Sequence, residues 1–323
     1  MSNNGQSLKL KLIDLCGAVL APAAARIAKL QWRWGAANLP RSFRAWSSRG
    51  VLPLPFHYYF PVFDPDALPS STWSRESRLP GIDLQPQRQL QLLEKFNYSE
   101  ELRLFPLDGD HKAGYCYHNG MFGPGDAEVL YSVLRHFKPR RVIEVGSGSS
   151  THLAKAALYR NRAEGHESEH ICIEPYSAPW LEKLGVTVVR EHVEDVDISL
   201  FQKLGANDVL FIDSSHVLRT GGDVQFEYLE ILPRLNPGVL VHVHDIFLPF
   251  EYPQSWIRDQ KWFWTEQYLV QAFLAFNAGF EVLLALHYLH AHHRDALAKA
   301  AAIYAEHPQF QPASLWIRRK LAP

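Results

Sequence analysis

The sequence has few of the residues that would assign it to a simple structural class. Its 323 residues contain three cysteines, Cys16, Cys116 and Cys172, at scattered spacings. This pattern excludes a disulfide framework and a Cys-x-x-Cys metal knuckle, and it favours a reducing compartment. The 33 Lys and Arg residues balance 34 Asp and Glu residues, so the basic excess typical of a nucleic-acid binder is lacking. Because 47% of the residues are hydrophobic, we expect a packed core rather than disorder.

The first 63 residues lack a long apolar run, and from position 15 they also lack acidic residues. Near the N-terminus the longest uncharged run, residues 15–25, is shorter than the roughly 20 residues that span a bilayer. Asp14 and Pro22 argue against a signal peptide, so we expect a cytoplasmic protein. Basic residues and tryptophans alternate over residues 26–49. Two interpretations stay open: a helix and arm packed onto the main domain, or a membrane-peripheral contact with an anionic surface, either lipid or acidic glycan.

The rest of the chain alternates between strand and helix patterns. The predicted strands cover residues 141–145, 170–174, 186–189, 209–213, 239–244, 280–286 and 314–318. The predicted helices cover residues 85–96, 126–137 with Asp126 as N-cap, 151–159, 179–184, 226–232 and 265–276. This alternation predicts an α/β fold with an open, doubly wound, mostly parallel sheet. We expect a Pro-rich helical and loop extension over residues 1–110 and the α/β domain over residues 111–323.

A glycine-rich loop follows the first predicted strand, with the sequence Glu144-Val145-Gly146-Ser147-Gly148-Ser149-Ser150-Thr151. Gly146 and Gly148 allow the backbone to turn tightly and to approach a ligand closely. A dinucleotide site is the obvious competitor, but Ser150 replaces its third glycine. Glu144 would repel a pyrophosphate, whereas it can accept hydrogen bonds from an amino group. The loop therefore favours a cofactor that carries ammonium and sulfonium charges.

This loop resembles motif I of the class I S-adenosylmethionine-dependent methyltransferases. The variant Glu-x-Gly-Ser-Gly-x-Ser-Thr is similar to the branch that includes macrolide-sugar O-methyltransferases, and the resemblance extends over about residues 119–318. It implies a seven-stranded Rossmann-like methyltransferase sheet and S-adenosylmethionine as the methyl donor. The loop residues that it assigns to donor binding are Glu144, Gly146, Ser147, Gly148, Ser150 and Thr151.

Further donor contacts are expected after the next strands. Glu174-Pro175 ends the second strand, where an acid meets the ribose of a nucleotide cofactor. By resemblance, Val193 flanks the adenine ring and Glu194 meets its amino group, with Asp195 as the rival for that role. Asp213 ends the next strand and, by the same resemblance, serves the metal or cofactor side.

The candidate catalytic residues lie at two strand ends. Asp213 and His216 match the Asp-x-x-His pattern of the macrolide-sugar enzymes, which implies that His216 is the general base. His244 and Asp245 follow the next strand, where those relatives carry two acids. A divalent metal held by Asp213, His244 and Asp245 is therefore one expectation, although imidazole ligands suit zinc, iron or nickel better than magnesium. We expect His242 in the core, and His287, His290, His292 and His293 in a solvated turn.

An aromatic segment follows Asp245 and includes Tyr252, Trp256 and Trp264. It predicts either an acceptor wall or an apolar clasp, and residues 115–124 are expected to form a second wall. These features predict O-methylation of a hydroxyl on a sugar, glycan or secondary metabolite. The alternatives are N-methylation, a non-catalytic cofactor-binding partner in glycan assembly, and a nicotinamide-dependent oxidoreductase. The sequence specifies neither the acceptor nor the oligomeric state.

Overall fold

The computed structural model describes residues 3–320 of the chain, with side chains from residue 8 onward. It contains two compact units, Met1–Pro69 and Ser70–Pro323. The first unit consists of a long helix α1 (Asn3–Trp34), a short helix α2 (Pro40–Ser47) and an extended segment. The Trp32 ring lies 5.1 Å from Phe43 in α2 and 4.6 Å from Phe60 in the extended segment, so aromatic packing holds the end of α1 to both. Within residues 3–320, no helix has the length and hydropathy needed to cross a membrane.

The second unit contains a seven-stranded sheet with the order β3-β2-β1-β4-β5-β7-β6. The strands are β1 (Arg141–Val145), β2 (Glu169–Ile173), β3 (Thr187–Val189), β4 (Val209–Ile212), β5 (Leu240–Val243), β6 (Phe280–Ala285) and β7 (Leu315–Arg319). All neighbours are parallel except β7, which runs antiparallel to both β5 and β6. This arrangement confirms the predicted fold class, and each observed strand lies within two residues of its predicted bounds.

The central strands are buried along almost their whole length because helices cover both faces of the sheet. All four residues of β4 and of β5 are buried, the pattern expected of parallel strands with two covered faces. One face packs against α5 (Asp126–Phe137) and α6 (Ser149–Ala163), and the other packs against α10 (Glu266–Leu274). The chain leaves β1 toward β2 and later returns to β4 on its other side. This reversal creates the crevice in which such sheets bind ligands.

The remaining helices are short. They are α3 (Pro86–Leu93), α4 (Ser99–Leu102), α7 (Ser199–Gln202), α8 (Asp223–Phe226), α9 (Gln254–Arg258), α11 (Leu286–His292), α12 (Arg294–Ala300) and α13 (Ala302–Glu306). The helix predicted over residues 226–232 is instead a π-helical segment, Glu227–Ile231, that continues α8. The helix predicted over residues 179–184 is a single 3₁₀ turn, Leu181–Leu184.

Residues 70–110 pack within the second unit. Leu93 and Leu102 are buried in the same core as α5, and the Gln89 Oε1 atom accepts a hydrogen bond of 2.8 Å from the Ala285 amide. The boundary predicted between residues 110 and 111 therefore lies inside this unit. The apolar positions of α3 and α4 explain this arrangement, because they bury their surface only against the sheet and its helices.

Two local predictions were wrong. Asp126 does not cap α5: its carboxylate accepts hydrogen bonds from the Ala313 and Ser314 amides, and Glu128 accepts the bond from the Gly125 amide that precedes the helix. The later histidine group does not form a solvated turn. Most of it lies in α11, and His287 is buried because its apolar helical neighbours turn that face toward the core.

Candidate active site

The carboxyl ends of β1, β2, β4 and β5 form one rim of the sheet, and the predicted site residues lie along it. The glycine loop after β1 passes directly beside the end of β4. A Cβ atom at Gly146 would lie 2.0 Å from the carbonyl oxygen of Asp213, and the Gly146 φ angle is +81°. Both observations require glycine at this position. The glycine loop and Asp213 are therefore in direct contact.

A cavity of about 220 Å³ lies beside the loop, and we call it the glycine-loop cavity. Its lining includes six predicted donor-binding residues: Gly146, Glu174, Pro175, Val193, Glu194 and Asp213. It also includes Arg219 and Asp223, which the sequence analysis did not single out. Asp223 accepts hydrogen bonds from the Ser215 amide (2.9 Å) and hydroxyl (2.6 Å), so it fixes the loop after β4.

Glu174 links the ends of β2 and β1. One carboxylate oxygen accepts a hydrogen bond of 2.9 Å from the Tyr176 amide, and the other accepts one of 3.3 Å from the Ser147 amide. The half-buried carboxylate thus faces the cavity while its own loop holds it in place. This is the position at which a carboxylate can accept bonds from the two hydroxyls of a ribose.

Glu144 and Thr151, both predicted to contact the donor, lie beneath the glycine loop and line neither rim cavity. Both are fully buried, and the Thr151 hydroxyl donates a hydrogen bond of 2.6 Å to Glu144 while accepting one of 3.1 Å from the Gly148 amide. His170 Nε2 lies 3.1 Å from the other Glu144 oxygen. The acid in the motif therefore braces the loop from below.

A second cavity of about 490 Å³ adjoins the first, and we call it the aromatic cavity. Its lining combines Phe122, Ser147, Gly148 and Ser150 on one side with Trp256, Trp262 and Trp264 on the other. Trp262 and Trp264 stack with centroids 5.0 Å apart and an interplanar angle of 8°. The predicted acceptor wall and second wall thus meet here. Tyr252 lies elsewhere: it is buried, and its hydroxyl accepts a hydrogen bond from the Gln267 amide.

The four predicted catalytic residues converge where the two cavities meet. Asp213 Oδ1 lies 3.3 Å from His216 Nε2 and 3.5 Å from His244 Nδ1. Asp245 Oδ2 lies 3.7 Å from His216 Nε2 and 3.4 Å from His244 Nδ1. Carboxylate and imidazole atoms therefore alternate around a ring. His242, by contrast, is buried in the core and bonded to the Ser314 hydroxyl, as expected.

The backbone at this cluster is strained. His216 and Asp245 have φ angles of 59° and 57°, in the left-handed region that residues other than glycine rarely adopt. Such conformations persist only where the surrounding structure enforces them, and they concentrate at functional sites. Here the Thr265 and Glu266 amides both donate to the carbonyl oxygen of His216, which fixes its backbone.

The carboxylates and imidazoles of the cluster shift one another's pKa values. Burial lowers the pKa of His216, but hydrogen bonds to Asp213 and Glu266 outweigh this effect and raise it to about 10. Burial likewise lowers the pKa of His244, whereas attraction to Asp245 and Asp213 raises it well above its usual range. Burial raises the pKa of Asp213, and the two imidazoles lower it further than burial raises it. With the carboxylates facing it, His216 is therefore protonated at neutral pH.

Glu266 is the main residue of the cluster that sequence reasoning missed. It is fully buried at the start of α10, 50 positions after His216. Its Oε2 lies 2.8 Å from His216 Nδ1, and its Oε1 accepts a hydrogen bond of 2.9 Å from the Tyr228 hydroxyl. No local motif connects it with His216, because only the packing of α10 on the sheet brings the two together. It holds the imidazole so that Nε2 faces the cavities.

Comparison with known proteins supports the resemblance. Residues 143–246 match Methyltransf_24, described as a methyltransferase domain, and this match spans β1 to β5 and all four cluster residues. An uncharacterized protein of Archaeoglobus fulgidus is 31% identical over 134 residues, which are 39% of this chain. The chain covers 60% of the length of that relative.

Two solved O-methyltransferases were also found. TomG from Streptomyces achromogenes, in complex with S-adenosylmethionine, is 14% identical over 72% of this chain and 90% of its own, with a TM-score of 0.38. The Bacillus cereus enzyme, in complex with S-adenosylhomocysteine, is 12% identical over 71% of this chain and 91% of its own, with a TM-score of 0.34. The fold is therefore assigned from the strand order of this chain. Residues 143–246 thus match a methyltransferase domain, and the strand order of the sheet is the one that the resemblance to the class I methyltransferases implies.

Proposed function

We propose that the chain is an S-adenosylmethionine-dependent O-methyltransferase whose acceptor is a hydroxyl of a sugar, glycan or secondary metabolite. One observation carries this proposal: the glycine-loop cavity and the aromatic cavity share Gly146, Glu174 and Asp213, and the ring of ionisable residues lies at their junction. A donor in the first cavity would present its methyl group to an acceptor in the second. Aromatic walls suit the apolar faces of sugars and of planar metabolites alike.

In this proposal His216 is the general base, and it acts in its neutral form, so the Nε2 proton that the facing carboxylates of Asp213 and Asp245 favour must leave before each transfer. Its Nε2 faces the junction, Glu266 holds Nδ1, and the Trp264 ring lies 4.3 Å from the imidazole. As the acceptor oxygen forms its bond to the methyl carbon, the bond from that carbon to the donor sulfur breaks and the hydroxyl proton passes to Nε2. The fixed orientation of the imidazole matters because an in-line displacement requires the donor, the acceptor and the base to be aligned. General-base help is typically worth about 10²–10⁴-fold in rate.

Asp213, His244 and Asp245 fit a divalent cation. The Asp213 Oδ1 and Asp245 Oδ2 atoms lie 3.5 Å and 3.4 Å from His244 Nδ1, so the three residues supply two oxygen donors and one nitrogen donor. Such a mixed set suits zinc, iron or nickel better than magnesium, which prefers oxygen alone. A cation bound there would draw both carboxylates away from His216 and place positive charge beside the acceptor oxygen.

The first experiment measures binding and transfer by the full chain. We expect calorimetry to show binding of S-adenosylmethionine and none of NAD(P)H. We then expect transfer of labelled methyl groups to members of a panel of glycans and phenols. Transfer to matched amines alone would assign N-methylation instead, and tight donor binding without any transfer would favour a non-catalytic partner.

The second experiment tests the cation. Elemental analysis of the purified chain, before and after dialysis against a chelator, measures bound metal independently of activity. We expect Asp245→Asn to lower metal content while donor affinity stays within about threefold, since Asp245 lines only the aromatic cavity. Glu251→Gln is the control, because this acid lies beyond the cluster and bonds Tyr268. Unchanged metal content in Asp245→Asn would remove that residue from the cation site.

A further inference from the structure

The part of α1 before its contacts with α2 exposes large apolar side chains. Every residue from 8 to 23 is exposed, and Leu8, Leu12, Leu15 and Val19 retain 71%, 61%, 63% and 69% of their full accessibility. The end of the same helix behaves differently, since Ala28 and Gln31 are buried. An apolar helix face of this size is normally covered by a partner or a membrane. This part of α1 therefore has a surface that the rest of the first unit leaves uncovered.

The exposed side chains are ordered along the helix. Leu8, Leu12, Leu15 and Val19 are spaced by four, three and four residues, so they align on one face. Ile13, Leu20 and Ile27 are spaced by seven residues and flank that line. The two lines lie about 100° apart around the helix. Cys16 and Ala23 lie between them, and we call the seven residues together the apolar strip.

The charge around the apolar strip has one sign. Residues 8–63 contain a single acid, Asp14, and eight basic residues, all exposed: Lys9, Lys11, Arg26, Lys29, Arg33, Arg41, Arg44 and Arg49. None of the eight pairs with a carboxylate within residues 8–69, the part of the first unit whose side chains the structure describes. A second copy of the strip would bring two basic segments together, which like-charge repulsion disfavours. The charge therefore favours an anionic partner.

We propose that α1 lies along the surface of an anionic phospholipid membrane. The apolar strip would enter the boundary between headgroups and acyl chains, while the basic side chains contact lipid phosphates. Trp34, exposed at 64%, ends the helix with the type of side chain that favours this boundary. Two lysines and Asp14 within the first turns suit a helix lying on a bilayer rather than one crossing it.

The test is flotation of the full chain with two kinds of vesicle: equal parts phosphatidylcholine and phosphatidylglycerol, or phosphatidylcholine alone. We expect binding to the anionic vesicles, weakened by added salt, and little binding to the neutral ones. Leu12→Glu with Leu15→Glu should lower the binding constant at least about tenfold, because charged groups enter the apolar strip. Leu104→Glu is the matched control, since Leu104 is 70% exposed in the second unit.

A second variant tests the charge separately. Replacing Arg26, Lys29 and Arg33 by Gln should weaken binding to anionic vesicles about 100-fold, at about fivefold per charge. The control replaces three exposed basic residues of the second unit, Arg75, Arg162 and Lys299, by Gln and should have little effect. Circular dichroism of each variant establishes that the helix content is retained.

Three results would overturn the proposal: no binding to either vesicle at low salt, equal binding to both, or binding that the α1 substitutions leave unchanged. A dimer that Leu12→Glu with Leu15→Glu converts to a monomer, without vesicle binding, would assign the strip to a second copy. Donor binding and methyl transfer are measured separately on the same variants. Failure of the methyltransferase proposal would therefore leave the membrane result intact, and the reverse also holds.

Discussion

The glycine-loop cavity and the aromatic cavity meet at Asp213, but they are built in different ways. The first takes most of its lining from residues directly after β1, β2, β3 and β4. The second draws on segments far apart in the chain, from Phe122 before α5 to Trp264 before α10. The ends of the strands themselves therefore form the first cavity. The second depends on how long connections fold back over the rim.

This difference also separates the chemistry of the two cavities. The glycine-loop cavity offers a shaped backbone and single carboxylates, which suits a cofactor common to many enzymes. The aromatic cavity combines stacked tryptophans with a strained, highly charged cluster, which suits one particular acceptor. Variants on the two sides should therefore affect different measured constants.

The largest effect is expected for His216→Asn, which should lower turnover by about 10²-fold or more while donor affinity stays within about threefold. Asparagine tolerates the left-handed backbone at this position, and its amide can still donate to Glu266. It cannot accept the hydroxyl proton. The measurements are kcat, donor binding by calorimetry and bound metal. Near-parental turnover with unchanged metal would exclude His216 as the base and favour His244, whereas loss of metal would make His216 a ligand.

A smaller effect, on the other cavity, is expected for Glu174→Ala. Removing the carboxylate should weaken donor binding at least about tenfold, because bonds to charged acceptors contribute about 1.5–3 kcal/mol each. Thermal unfolding measures whether the loss of its bond from the Ser147 amide also loosens the fold. Glu191→Ala, an exposed acid after β3, is the control. Parental donor affinity in a folded Glu174 variant would show that the ribose binds elsewhere.

Trp262→Ala should act only on the acceptor side. The ring is 41% exposed, stacks on Trp264 and lines the aromatic cavity, so its loss should raise the acceptor KM about three- to tenfold. Donor affinity should not change. Tyr252→Phe provides the contrast, because Tyr252 packs behind Trp264 without lining the cavity, so loss of its hydroxyl should affect stability rather than KM. A changed donor affinity in Trp262→Ala would contradict the separation of the two cavities.

The smallest effect at neutral pH concerns His287, which packs against Phe247 in the segment after β5. Burial, with a contribution from His290, lowers the pKa of His287 from 6.5 to about 4. The folded chain therefore stays unprotonated at this residue while the unfolded chain takes up a proton. Stability should fall as the pH drops from about 6.5 to about 4, by at most about 3 kcal/mol. Chemical unfolding at several pH values measures this slope, which His287→Gln should reduce and the exposed substitution Lys299→Gln should not.

Sequence patterns were most informative where structure is local. The β-branched run of β1 and the glycines after it predicted a strand and a loop. The structure gives the reason for the first glycine, because a Cβ atom at Gly146 would lie 2.0 Å from the carbonyl oxygen of Asp213. The alternation of strands and helices likewise predicted the sheet, since parallel strands need crossover helices. Capping was less predictable: Asp126 looks like an N-cap, but tertiary bonds to residues 313 and 314 engage its carboxylate.

By itself, the sequence determined the order of the elements, the glycine loop, the position of Glu174 and the pairs Asp213–His216 and His244–Asp245. Each of these depends on residues close together in the chain. Only the tertiary structure decided that the two pairs form one ring, that Glu266 holds His216, and that Glu144 supports the loop from below. Burial strengthens the interaction between neighbouring charges. These side chains become neighbours only when separate strands and α10 meet at one rim of the sheet.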